Sequence, residues 1–94
     1  MISDFELSLI LRANLDLLSV DENKQALLDQ CIVSAKDFIK REGIHLADSA
    51  EDTQLVVMYA AYLYRKRAIN EPMPRMLRFT LNNRLLSEKM NENG

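Results

Sequence analysis

The sequence predicts an all-α fold: one small domain over residues 1–94, with four to five helices around a buried central one. Three observations predict it. Apolar residues recur at intervals of three and four along most of the chain, the spacing of a helix face. Only 2 Gly and 2 Pro occur in 94 residues, so turn formers are scarce. With 48% apolar and 28% charged residues, the composition is that of an ordinary globular chain. A chain of this length builds one modest hydrophobic core, which excludes a multidomain enzyme.

The first helix opens at Ser3. Ser3 and Glu6 have capping-box spacing, in which hydroxyl and carboxylate each satisfy a backbone N–H of the first turn. Phe5, Leu7, Ile10, Leu11 and Leu15 supply its apolar stripe, and it should end near residue 14. Ser19 or Asp21 can cap the second helix. Its stripe is Leu27, Leu28, Cys31, Ile32, Ala35, Phe38 and Ile39. Lys24, Asp29, Lys36, Asp37, Lys40 and Arg41 form its charged side, and Gly43 stops it. The cations at 40 and 41 sit at the negative end of the helix dipole.

Ser49, with Asp52 three residues on, marks the start of the third helix. From Leu55 to Leu63 nearly every position is apolar, which leaves no polar face and implies burial on most sides. This is the expected central helix. The segment Asn70-Glu71-Pro72-Met73-Pro74 breaks the chain, because each proline lacks an N–H and disfavours a helical predecessor. Pro74 can itself stand in the first turn of the last helix. That helix repeats Met73, Leu77, Leu81 and Leu85, flanked by Met76, Leu86 and Met90, with Arg75, Arg78, Asn82 and Lys89 along another strip. Asn91 to Gly94 carry no apolar anchor and are expected to fray.

The residue inventory offers no active site, and no enzyme is expected. No P-loop, GxSxG or HExxH occurs, and His45 stands without a partnered nucleophile. One Cys and one His cannot supply the four ligands of a structural zinc site, so no metal or other cofactor is expected. Cys31 lies on an apolar stripe, where burial makes a thiol inert. Its lack of an intrachain partner fits a reducing compartment. Asp21-Glu22 and Glu51-Asp52 fall at helix starts, where carboxylates stabilise the dipole. The acidic N-terminus does not resemble a secretory signal, and no apolar run reaches membrane-spanning length, so no membrane association is expected.

Charge is unevenly distributed. Residues 1–52 hold 5 basic and 11 acidic side chains, whereas residues 53–94 hold 7 basic and 3 acidic ones. If the fold keeps the halves on different faces, identical subunits attract head to tail. If it interleaves them, the asymmetry has no consequence. Lys36, Lys40 and Arg41 on the second helix, and Arg65, Arg67, Arg75 and Arg78 around the third-to-fourth connection, are the candidate interface residues for a neighbouring subunit or another protein partner. The basic cluster suits phosphates, a partner's carboxylates or plain solvation, and a net charge of −2 argues against tight general DNA binding.

The order of these elements resembles the tailed-phage head-to-tail connector family. The resemblance spans most of residues 4–86 and rests on Tyr64 and Arg67 closing the central helix in a Tyr-x-x-Arg pattern. Pro74 opens the last helix, with Leu77, Leu81 and Arg84 behind it. It implies a structural adaptor with no active site: a ring of identical subunits beneath the portal, forming part of the conduit through which DNA passes transiently. The implied partners are other copies of the chain, the portal protein, and a tail or stopper protein. The implied location is the virion, with the host cytoplasm during assembly. The alternative reading is a small helical regulatory module that binds a protein or DNA, with Met73, Met76 and Met90 lining an adaptable surface.

Overall fold

A computed structural model describes residues 3–93 and, among them, the side chains of all but 68, 69 and 91–93. Four helices follow one another: α1 (Asp4–Asn14), α2 (Glu22–Arg41), α3 (Ala50–Ile69) and α4 (Arg75–Asn93). The fold is all-α, with no strand among the described residues. The most extensive contact is between α2 and α3. Helix α1 packs on both of these, and α4 packs on α3.

The helix starts follow from side chains that meet orphan N–H groups. The hydroxyl of Ser3 accepts from the N–H of Glu6, Asp21 accepts from Lys24 at 2.7 Å, and Ser49 accepts from Asp52 at 3.1 Å. Asp21, not Ser19, caps α2. Pro74 stands immediately before α4, and its carbonyl accepts the N–H of Arg78. Three helix ends use the left-handed conformation; at the end of α3, Asn70 (φ 51°) donates its N–H to the carbonyl of Lys66 at 2.8 Å. At Gly43 (φ 102°), the N–H of Ile44 reaches the carbonyl of Ile39, and that of Gly43 reaches Lys40. The same paired bonds close α1 around Asp16 (φ 58°), from Leu17 to Arg12 and from Asp16 to Ala13.

Leu7 and Leu11 of α1, Leu28, Ile32, Ala35 and Ile39 of α2, Leu55 to Val57 with Ala60 and Ala61 of α3, and Leu77 and Leu81 of α4 form one core. The central position of α3 follows from its sequence: both small and large apolar residues lie on most of its sides, so three helices can approach it.

Several expectations change. Phe5 and Ile10 do not join the α1 stripe; they are 71% and 41% exposed. At 100° per residue Phe5 lies about 200° from Leu7, on a different side of the helix. Phe38 is 40% exposed at the edge of the α2 stripe. On α4, Met76, Leu86 and Met90 do not flank the buried leucines but lie away from them, largely exposed. The chain remains helical to Asn93, through most of the segment expected to fray, and Gly94 lies outside the described residues.

Candidate functional site

The charged residues singled out from the sequence are not one cluster. Lys36 is drawn onto α1 by Asp4, 2.6 Å away, and is mostly covered. Arg41 pairs with Asp37 one turn back at 3.4 Å, and Arg78 of α4 meets Glu42 at the end of α2 at 3.3 Å. Lys40, Arg65, Arg67 and Arg75 are exposed. The two halves of the chain therefore partly interleave, since Arg78 and Arg84 from the basic half are matched by Glu42 and Asp52 from the acidic half.

Arg84 has the most constrained position. Its guanidinium binds both carboxylate oxygens of Asp52, one of them at 3.0 Å, and donates to the carbonyl of His45 at 2.8 Å. Asp52 is 1% exposed; its carboxylate also accepts the N–H of Ala47, and its own backbone N–H donates to the Ser49 hydroxyl at the helix start. Donation from Arg84 is the main cause of a carboxyl pKa below its ordinary value, against the opposing effect of burial. Arg84 is correspondingly raised, first by the same bond. Glu88, one turn along, accepts both the backbone N–H of His45 at 3.1 Å and a contact with its ring at 3.0 Å. These bonds lower its pKa. This network pins the 43–49 connection to α4. It is a brace, because its carboxylate and guanidinium neutralise each other and neither is presented to a ligand.

Sequence reasoning placed Arg84 only through the family pattern and read Asp52 as a dipole-stabilising residue. The Ser49–Asp52 spacing accounts for the helix start, but nothing local signals a pair 32 residues apart. The other family-pattern positions fall on the same α3–α4 unit. Tyr64 packs at the core edge, Arg67 is exposed, Pro74 precedes α4, and Leu77 and Leu81 are fully buried.

A cleft of about 410 Å³ opens between α2 and the C-terminal half of α3. Leu27, Cys31 and Phe38 meet Leu63 there, while Lys66, Arg67 and Asn70 stand on the α3 side. Phe38 stacks on Tyr59 with ring centres 5.9 Å apart, and Lys66 lies 5.8 Å from the centre of the Tyr62 ring. Burial raises the pKa of the Cys31 thiol, and the charge of Arg67 offsets this only in part. The cleft combines apolar walls with cations, which suits an acidic, apolar protein surface. It brings no base to the thiol.

Among the described residues, no group of three or more His, Cys, Asp or Glu side chains could hold a metal ion, and no helix is long and apolar enough to cross a membrane. No protein-family model, curated protein or solved structure matches the chain.

Proposed function

We propose that this chain is a structural head-to-tail connector of a tailed phage or prophage, one subunit of a ring beneath the portal. It has no enzymatic step. The observation that supports this reading most is the coherence of the segment that carries the resemblance: Tyr64, Arg67, Pro74, Leu77, Leu81 and Arg84 all belong to the α3–α4 hairpin. Within it Leu77 and Leu81 anchor α4, and Arg84 braces it to Asp52. The remaining surface suits assembly, since apolar side chains lie exposed on α1, α2 and α4. Its partners are other copies of itself, the portal, and a tail or stopper protein. It acts in the virion after assembly in the host cytoplasm, and DNA passes through its lumen without being held.

The test is to mix the purified chain with portal rings from the same phage or prophage and to image the product by electron microscopy. A ring of added density beneath the portal is the expected result. No association with the portal, together with a salt-dependent affinity for duplex DNA, would instead support the small helical regulator.

A further inference from the structure

Helix α4 carries two apolar stripes. Leu77 and Leu81 face α3 and are fully buried. Met76, Phe79, Leu86 and Met90 are 66%, 63%, 59% and 65% exposed. With Asn83, also exposed, these outer positions fall at 76, 79, 83, 86 and 90, alternating steps of three and four. That is the spacing of a helix seam made for another helix pair. At 100° per residue the seam lies roughly opposite the buried stripe. Arg75 and Lys89 run along one edge of it, while Thr80 and Ser87 run along the other.

A second uncovered apolar surface lies on a different part of the molecule. Between α1 and α2 is a groove of about 450 Å³ lined by Asp4, Phe5, Gln25, Asp29 and Val33. Phe5 is 71% and Val33 53% exposed. Asp4 is already matched by Lys36, but Asp29 accepts from the neutral amide of Gln25 at 2.9 Å and keeps its charge for an incoming cation. The groove thus offers two exposed apolar side chains, Phe5 and Val33, beside the carboxylate of Asp29. The α4 seam is an apolar ridge with a basic edge.

We infer that the outer seam of α4 docks into the α1–α2 groove of a second copy of this chain. This deepens the connector reading by assigning the faces that join neighbouring subunits, and it rests on that reading only for the ring. Two features favour this occupant over a second α4. The carboxylate nearest the seam, Glu51 of α3, lies on its Thr80–Ser87 edge, so in an antiparallel α4–α4 pair like edges meet, Arg75 and Lys89 facing their own kind, whereas the groove supplies Asp29 opposite Arg75 or Lys89. An α4–α4 pair would also leave Phe5 and Val33 uncovered, while ridge in groove covers both surfaces with one repeated contact. Because the two faces are unlike, the contact is heterologous and propagates into a ring or filament.

The test uses two variants of the full chain. Met76→Glu with Met90→Glu disables the seam, and Phe5→Glu with Val33→Glu disables the groove; all four positions are exposed, and circular dichroism checks that each variant remains folded. The wild-type chain should self-associate at protein concentrations up to about 1 mM in sedimentation velocity, whereas each variant should be weakened roughly tenfold or more. An equimolar mixture of the two variants should recover a one-to-one heterodimer, since one intact seam meets one intact groove. Association of the groove variant with itself at wild-type strength would show α4–α4 pairing and overturn the inference. So would a mixture that stays monomeric, or a wild-type chain that is monomeric throughout. No portal is present in this experiment, so its failure leaves the portal-mixing result unaffected, and failure to join a portal leaves this contact standing.

Discussion

Asp52 and Arg84 show how one residue's role can depend on a partner far away in the chain. Removing the carboxylate with Asp52→Ala leaves the mostly buried Arg84 with only its looser pair to Glu88 at 3.6 Å, so a loss of about 3 kcal/mol, the low end for a broken buried pair, is expected in urea unfolding. Acid should act in the same direction. The folded-state pKa of Asp52 is depressed, so its contribution is fully present above the unfolded carboxyl pKa of about 4 and is lost as pH falls through the lower folded value. Glu88, also lowered, adds to the same slope. Stability measured between neutral and acid pH should therefore fall below about pH 4, and less steeply in Asp52→Asn. Cys31 gives a different case. It is 4% exposed with a raised thiol pKa, so alkylation by iodoacetamide should be slow in the native protein and fast in denaturant. That burial was legible from the spacing of Leu28, Cys31, Ile32 and Ala35. The Asp52–Arg84 pair was not, because a carboxylate three residues after Ser49 is already explained by the helix start.

The four helices were legible because their caps are local. Ser3, Asp21 and Ser49 each act within three residues, and prolines on either side of Met73 prevent α3 and α4 from merging. Facing was legible only where one period dominates. Leu7 and Leu11 align with the core, whereas Phe5, Met76 and Met90 are apolar residues whose angle around the helix turns them elsewhere. Helix ends give the clearest element-level test. Gly43 has φ 102°, and a Cβ there would stand 3.6 Å from Leu85, ordinary contact, so conformation and not crowding resists a side chain. Gly43→Ala should therefore cost about 1–2 kcal/mol in thermal or urea unfolding. Asp16 occupies the equivalent left-handed position at the end of α1, and Asp16→Gly should stabilise by about 0.5 kcal/mol, the relief of strain outweighing the added freedom of the unfolded chain. Opposite signs from the two substitutions would tie the effects to backbone geometry.

On the scale of the whole molecule, the packing is uneven. The radius of gyration is 13.7 Å, larger than the roughly 12.4 Å of a compact domain of this length, and the longest extent is 47 Å. The antiparallel offset between α3 and α4 accounts for part of this. Arg84 is level with Asp52 near the start of α3, so the rest of α4 runs about 10 Å beyond the end of its neighbour. Helix α2 is held by α1 and α3, but α4 has α3 as its main helical support, supplemented by the 43–49 connection. Such an element should open without global unfolding. Native-state hydrogen exchange should show α4 amides, most of all those beyond Arg84, exchanging through a local opening, while buried segments of α2 and α3 exchange near the global free energy. Leu81→Ala, which removes a fully buried anchor of α4, should lower α4 protection by about 2–5 kcal/mol and change that of α2 less. Equal losses in every helix would mean that the molecule opens only as a unit. If α4 does open first and its outer seam docks on a second copy as proposed, that contact adds support to the helix that has least of its own, and self-association should then raise the protection of α4 amides with protein concentration.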